Sequence, residues 1–165
     1  MSEFYNKSVF MATHNSYSGG VKKSIRQQLD GNIRGLELDI HSDEIETKKY
    51  FEVGHVMAGS DVDHHDNPKS IQFVDWLKVI KDWSNIHVNH VPITLFIDIK
   101  HDLVHNPPGY GPEFLNRVIF ETFEAARLYT PKMHRHDGTD WPPLDELKGK
   151  ILVVLTGDTE SKWAY

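Results

Sequence analysis

The chain has 165 residues, with 18 lysines and arginines against 24 aspartates and glutamates, a formal net charge of −6. Hydrophobic residues make up 39% of the sequence, which excludes an intrinsically disordered chain and indicates one soluble globular domain over residues 1–165. The negative charge and the absence of a basic stripe argue against nucleic acid as a partner. No apolar run reaches the roughly 20 residues of a transmembrane segment.

Cysteine is absent, which excludes a disulfide scaffold, a thiolate zinc site and a cysteine nucleophile. Histidine is instead unusually frequent, with 11 residues. The first residues lack the apolar core of a signal peptide. The compartment is therefore unknown: cytoplasmic by default, or secreted if a leader has been removed.

Apolar residues recur with strand periodicity in some segments and with helix periodicity in others. The predicted elements, in chain order, are strand 8–13, helix 24–29, strand 35–41, strand 50–56, helix 73–83, strand 92–100, helix 114–126 and strand 150–155. The last strand is almost continuously apolar, which is typical of a strand covered on both faces. Strands that are separated by helices predict βαβ units and a parallel α/β sheet.

Charged side chains interrupt two of the predicted strands on one face only. Glu37 and Asp39 are two residues apart in one strand, so their side chains share a face, and Asp98 takes a similar place in another. Asn15 follows the first predicted strand. The carboxyl ends of neighbouring parallel strands meet at one site, where three carboxylates and an amide oxygen would suit Ca²⁺ or Mg²⁺. A single Glu-x-Asp pair is more often a solvated strand edge, but buried charges are costly unless they are paired or bind a metal.

Two histidines lie beside these oxygen ligands in the predicted topology. His14 follows the first strand and His55 ends a later extended segment, so the pair can act as general base and general acid. A histidine at the start of a loop is more often a cap or a surface residue. His41 and His101 are further candidates to line the site, whereas the histidine-rich segments 61–66 and 134–137 are interpreted as solvated loops.

Several segments, taken in order, resemble the catalytic domain of phosphatidylinositol-specific phospholipase C. They are Ala-Thr-His-Asn-Ser-Tyr at 12–17, residues 28–41, Glu-Val-Gly-His at 52–55, Ile-Thr-Leu-Phe-Ile-Asp-Ile-Lys at 93–100, and residues 141–154. The resemblance is to the calcium-dependent, largely microbial branch. The metal-independent bacterial branch has an arginine where this chain has Asp39, which favours a metal-dependent enzyme.

The resemblance implies a TIM-type (β/α) barrel that cleaves a phosphodiester bond with a hydroxyl of the substrate itself. It implies Ca²⁺ as cofactor, with Mg²⁺ as the alternative, and a phospholipid head group at a membrane surface as substrate. The implied site residues are the catalytic pair His14 and His55, the cation ligands Asn15, Glu37, Asp39 and Asp98, and Lys100 at the substrate phosphate. The alternative interpretation of Lys100 is that it forms a salt bridge with Asp98.

In the family mechanism the inositol 2-hydroxyl attacks the phosphate of phosphatidylinositol. We assign His14 to activation of that hydroxyl or stabilisation of the phosphorane, and His55 to protonation of the leaving diacylglycerol oxygen. Two alternatives stay open: a sphingomyelinase D-like or glycerophosphodiester phosphodiesterase, whose barrels carry a similar residue set, and a non-catalytic or truncated binding module.

The length does not match a complete barrel. Eight strand–helix units take about 250 residues, and only about five barrel strands are predicted here. We therefore expect the N-terminal portion of a full barrel, with exposed apolar strand edges. Such edges predict self-association or a C-terminal segment that completes the barrel.

Overall fold

A computed structural model describes residues 3–134 and 141–164 of the chain. One sheet organises these residues, and its strands are β1 (Gly35–His41), β2 (Glu52–Val53), β3 (Ile93–Ile99) and β4 (Ile151–Gly157). Five α-helices surround it: α1 (Ile25–Asp30), α2 (Ile45–Lys48), α3 (Phe73–Ile86), α4 (Pro112–Arg127) and α5 (Thr159–Trp163). Short 3-10 turns cover Tyr5–Lys7, Ser16–Ser18, Gly20–Lys22, Pro131–Met133 and Leu144–Leu147.

The sheet has the strand order β2-β1-β3-β4. β3 runs parallel to both β1 and β4, and the register places Asp39 beside Asp98 and Asp98 beside Thr156. Helix α3 lies in the connection from β2 to β3, and α4 lies in the connection from β3 to β4, as in βαβ units. The predicted α/β class is confirmed, and the parallel part of the sheet is β1, β3 and β4.

The prediction of a fully parallel sheet is wrong at β2. This strand has only two residues and runs antiparallel to β1, with Ile40 opposite Val53 and His41 opposite Glu52. The connection from β1 to β2 holds only the four-residue helix α2, which is too short for the crossover that parallel neighbours need. The outer side of β2 is covered by an antiparallel bridge from Glu52 to Gln72.

The segment 8–13, predicted as a strand, forms only a single parallel bridge between Ala12 and Gly35. Its apolar side chains do not enter the core, since Val9 is 98% exposed and Met11 is largely exposed. Apolar side chains of an extended segment are buried only where a neighbouring element covers them. The last backbone hydrogen bond from this segment to β1 is the one that the N–H of Thr13 donates to the carbonyl of Gly35.

The two faces of the sheet differ in chemistry. Leu36, Leu38 and Ile40 of β1 join Leu95, Ile97 and Ile99 of β3 in a core that also contains the apolar stripes of α3 and α4. Trp76 and Ile80 of α3 and Leu115 and Phe123 of α4 are among its fully buried members. Because side chains alternate along a strand, Glu37, Asp39 and Asp98 are directed to the opposite face.

That opposite face is not fully covered at β4. Val154 is 38% exposed and Thr156 is partly exposed, so the prediction of a β4 covered on both faces is wrong for its second half. Among the described residues the four strands form an open sheet rather than a closed barrel. None of the helices in the described part of the chain combines the length and apolar character that crossing a membrane requires.

Candidate active site

Three carboxylates meet on the polar face of the sheet, toward the carboxyl ends of β1 and β3. Oxygen atoms of Glu37, Asp39 and Asp98 all lie within 4.8 Å of one another. Asp39 and Asp98 are register partners on neighbouring parallel strands, which explains why two residues distant in sequence come together. Asp39 is 1% exposed, whereas Glu37 and Asp98 are partly accessible. The arrangement is the one that the strand alternation predicts.

The ammonium group of Lys100 lies between two of these carboxylates. Its Nζ atom is 2.9 Å from Asp39 Oδ2 and 2.5 Å from Asp98 Oδ2. Burial by itself lowers the pKa of Lys100, but the contacts with Asp98 and Asp39 outweigh burial and raise the pKa above its usual value. The side chain therefore remains a cation, and it partly neutralises the carboxylate cluster.

Buried oxygen atoms at this site lack the hydrogen bonds that buried polar groups usually make. Asp39 Oδ1 and Asn15 Oδ1 have no hydrogen-bond partner, and Asp39 Oδ2 meets Lys100 at a short distance but without hydrogen-bond alignment. Carboxylate and amide oxygens are the ligands that Ca²⁺ takes in proteins. The unsatisfied oxygens and the donor set therefore fit a hard divalent cation.

Tyr17 is a buried neighbour of Asp39. It is fully buried, its hydroxyl has no hydrogen-bond partner, and its ring meets Trp76 edge-on with 6.4 Å between centroids. Burial raises the pKa of Tyr17 strongly, and the negative charge of Asp39 raises it further. The phenol is thus held neutral next to the carboxylates, where it supplies a polar but uncharged wall.

The turn after residue 13 brings His14 and Asn15 to Glu37. Asn15 is in the left-handed region (φ 48°, ψ 59°), and its backbone N–H donates to Glu37 Oε2 at 2.8 Å. His14 Nε2 lies 3.4 Å from the same oxygen, although most of the imidazole is exposed. Ser16 fixes the turn to β1, because its Oγ accepts a hydrogen bond from the N–H of Glu37 at 2.8 Å.

His55 lies in the segment that follows β2, and Asp61 orients it. His55 Nδ1 is 3.2 Å from Asp61 Oδ2, and both side chains are substantially exposed. His55 and Asp61 share an open surface depression with Asn15, the residue that contacts Glu37. His14 contacts Glu37, whereas His55 is placed near the carboxylates only through the depression that it shares with Asn15, so the convergence of the two histidines stays a prediction.

A glycine lies directly beside Asp98. Gly157 ends β4 with φ +82°, and a Cβ atom built there would lie 2.3 Å from both Asp98 Oδ1 and the carbonyl oxygen of Ile99. The Thr156 hydroxyl is 3.4 Å from the same Asp98 oxygen. Only a residue without a side chain fits, so β4 contributes backbone and a hydroxyl to the wall of the site.

Asp61 was assigned from the sequence to a solvated loop and was not predicted to contact His55. Its position six residues after His55 is the sequence feature that could have suggested the contact. In the same loop Asp63 accepts a hydrogen bond from the N–H of Gly20 and does not reach the carboxylates in any described contact. In the other histidine-rich segment, 134–137, residues 135–137 lie outside the described residues, so the interpretation as a solvated loop stays a prediction there.

The chain matches one protein-family model over residues 47–165, which is more than two thirds of its length: the model of Ca²⁺-dependent phosphoinositide phospholipase C. The match begins after β1, so it covers His55, Asp98 and Lys100 and leaves His14 to Asp39 outside. No curated protein matches the chain significantly.

Solved structures of calcium-dependent phospholipases C share the fold. The enzyme of a Gram-negative Pseudomonas species is 23% identical with a TM-score of 0.76, and the match covers 94% of this chain and 60% of that one. Its myoinositol complex gives 24% identity, a TM-score of 0.73, and coverage of 89% and 55%. The Streptomyces antibioticus enzyme gives 24% identity, a TM-score of 0.72, and coverage of 93% and 53%. The chain therefore spans little more than half the length of these solved relatives.

Proposed function

Because the chain belongs to the Ca²⁺-dependent phosphoinositide phospholipase C family, we propose that it cleaves the phosphodiester bond of phosphatidylinositol-type phospholipids. The observation that supports this best is the grouping of Glu37, Asp39 and Asp98 within 4.8 Å, with unpartnered oxygens on Asp39 and Asn15. An inositol-containing substrate is supported by the similar Pseudomonas enzyme, whose structure has been solved as a myoinositol complex.

The cation ligands in this proposal share oxygen chemistry and a place on the polar face of the sheet. They are the side chains of Asn15, Glu37, Asp39 and Asp98. A divalent cation held by these residues would supply positive charge for a phosphate oxygen and would lower the pKa of the attacking hydroxyl. Lys100 adds a permanent positive charge next to that place, since its pKa is raised. Phosphoryl transfer depends mainly on such electrostatic stabilisation and on positioning.

The two histidines carry the proton transfers. A bond forms between the inositol 2-hydroxyl oxygen and phosphorus while the bond from phosphorus to the diacylglycerol oxygen breaks. His14 takes the proton of the 2-hydroxyl, and Glu37, 3.4 Å from His14 Nε2, stabilises the imidazolium that results. His55 acts as the imidazolium: it donates its Nε2 proton to the leaving oxygen, while its Nδ1–H donates a hydrogen bond to Asp61 and leaves the ring neutral after transfer. The products are cyclic inositol phosphate and diacylglycerol.

Phosphatidylinositol vesicles test this function. Cyclic inositol phosphate should form in the presence of Ca²⁺, stop forming when Ca²⁺ is chelated, and resume when Ca²⁺ is restored. Asp39→Asn should remove this calcium-dependent turnover because it takes away the most buried ligand, whereas the exposed Glu46→Gln is the matched control. Release of choline or glycerol phosphate without a cyclic product would refute the proposal, as would turnover that is unaffected by chelation.

The partner of the chain in this proposal is a phospholipid head group at a membrane surface. Beyond the bridge at Ile151, the outer edge of β4 is unpaired among the described residues. This edge adds a second expectation, which is association with another copy of the chain or with a segment that continues the sheet. The partly exposed apolar side chains at this edge, such as Val154, support it.

A further inference from the structure

A second cluster of metal-ligating side chains lies at the same end of the sheet but is separate from the carboxylates. His41 is the last residue of β1, Asp43 lies two residues after it, and His101 lies two residues after the end of β3. One ligand atom from each residue lies within 4.8 Å of those of the other two. We call these three residues the histidine cluster.

The chemical state of His41 is set by its surroundings. The side chain is 1% exposed, and its Nε2 lies 2.9 Å from the carbonyl oxygen of Gly54. A carbonyl oxygen accepts but never donates, so Nε2 carries the proton and the lone pair of the neutral ring is on Nδ1. That lone pair is directed at the cluster. Histidines that bind metals usually have this arrangement, in which the other ring nitrogen donates to a backbone carbonyl.

The spacing of the two imidazole nitrogens matches a small tetrahedral ion. Zinc–nitrogen distances of about 2.0–2.1 Å place two tetrahedral ligand atoms about 3.4 Å apart. His41 Nδ1 and His101 Nε2 are 3.4 Å apart. Asp43 Oδ2 is 3.9 Å from His41 Nδ1, and Asp43 Oδ1 is 3.5 Å from the other nitrogen of His101. Asp43 can therefore coordinate through one oxygen and orient His101 through the other.

One side of the histidine cluster is open to solvent. The side chain of Asp43 is 50% exposed and that of His101 is 39% exposed, so water can complete the coordination while His41 anchors the site from inside. Another cluster, Asp102, His105 and Glu160, has no buried member and lies wholly at the surface. A solvated ion-pair network explains that second cluster. The histidine cluster differs from it because its buried member, His41, presents the Nδ1 lone pair to Nε2 of His101 at 3.4 Å, where the two rings hydrogen-bond in the absence of an ion.

We propose that His41 Nδ1, His101 Nε2 and the Asp43 carboxylate form a binding site for a zinc-class transition-metal ion. Imidazole nitrogens select Zn²⁺ and its neighbours, whereas the all-oxygen carboxylate cluster suits Ca²⁺, so the two sites take different metals. The ion would tie the end of β1 to the segment after β3. Through Gly54 it would also hold the segment that carries His55.

Metal titration of chelator-treated protein tests this site. Calorimetry should give one Zn²⁺ per chain, and Co²⁺ should give the visible absorption bands of tetrahedral coordination. Excess Ca²⁺ should not displace either ion. His101→Ala and Asp43→Asn should each weaken Zn²⁺ binding at least about tenfold, because each removes a ligand. Both residues are partly exposed, so these variants should fold even if His41→Ala does not, and circular dichroism checks this.

Two control variants separate the histidine cluster from its neighbours. His105→Ala, in the exposed cluster, and Asp98→Asn, in the carboxylate cluster, should both bind Zn²⁺ as the wild type does. Absence of Zn²⁺ binding by the wild type would overturn the proposal. Binding that survives His101→Ala and Asp43→Asn, or that is lost in Asp98→Asn, would also overturn it, because the ion would then be held elsewhere.

Discussion

Asp61 is the residue that fixes the orientation of His55, at a distance of 3.2 Å. His55→Gln should lower turnover of phosphatidylinositol by about 10²–10⁴-fold, because it removes a proton donor. Asp61→Asn should have a smaller effect, about tenfold, because the imidazole remains but loses the carboxylate that orients it. Steady-state kinetics measures both effects.

Asp66→Asn is the control for these variants. Asp66 belongs to the same loop and also pairs with a histidine, His65, but both side chains are largely exposed. Its turnover should match that of the wild type. An Asp61→Asn variant with unchanged turnover would show that this carboxylate does not act on His55.

Gly157 offers a test of the site that does not depend on turnover. Gly157→Ala should lower the free energy of unfolding by clearly more than about 1 kcal/mol, because it combines strain at positive φ with a clash against Asp98. Gly20→Ala is the matched control, since Gly20 also has positive φ (+59°) but nothing lies within 4 Å of the added Cβ. Denaturant unfolding compares the two. Equal losses of unfolding free energy in the two variants would show that the residues around Asp98 accommodate the added methyl group without extra cost.

At the scale of the residue, sequence alternation was sufficient to predict that Glu37 and Asp39 share a face with Asp98. It was not sufficient for Asp61, because the contact with His55 depends on a loop in which Asp61 itself has φ +57°. The composition of this loop correctly predicts that it is exposed to solvent. It does not predict that the backbone of the loop holds one carboxylate against one imidazole, because that contact leaves no periodic pattern in the sequence.

At the scale of the element, β1 and β3 were predicted nearly residue for residue because each alternates buried apolar residues over seven positions. The two-residue β2 and the bridge at Ala12 were predicted poorly, and the direction of β2 was predicted wrongly. The structure of a short extended segment depends on the elements that it contacts, and the direction of strand pairing leaves no periodic pattern in the sequence. A long strand with alternating apolar residues can be predicted from that alternation.

His90 joins the end of α3 to the segment that leads into β3. Its Nε2 is 2.7 Å from the Ser84 hydroxyl and its Nδ1 is 2.7 Å from the carbonyl oxygen of Val91. Burial lowers the pKa of His90, and the positive charges of Arg34 and Arg127 lower it further. The folded protein therefore favours the neutral ring, so this contribution to stability is complete above the unfolded pKa of about 6.5 and declines as the pH falls below it.

The lowered pKa of His90 predicts how the free energy of unfolding changes with pH. Between about pH 7 and pH 5, the wild type should lose up to about 1.4 kcal/mol per pH unit more than His90→Gln, which takes up no proton. The variant starts from a lower stability at neutral pH because it changes the contact with Ser84. His65→Gln, at an exposed position, should keep the wild-type slope. Parallel curves for wild type and His90→Gln, measured by urea unfolding, would contradict the prediction.

At the scale of the whole molecule, the two edges of the sheet are unequal. The bridge from Glu52 to Gln72 covers β2, whereas β4 is bridged only at Ile151 among the described residues. An unpaired strand edge is a template for another strand. We therefore expect concentration-dependent dimers in sedimentation equilibrium, and we expect Val154→Lys to shift the distribution toward monomer without loss of folding. A chain that stays monomeric at every concentration would refute this.

The ammonium of Lys100 gives the carboxylate site a built-in counter-ion. Together with Glu37, Asp39 and Asp98 it leaves a formal charge of −2, which one divalent cation balances. Because the lysine offsets part of the repulsion among the acids, it helps to hold their spacing without an ion. In the proposed cation site the same contact would compete with an incoming ion. Lys100 would then set both how well the acids are preorganised and the concentration of cation at which the proposed site fills.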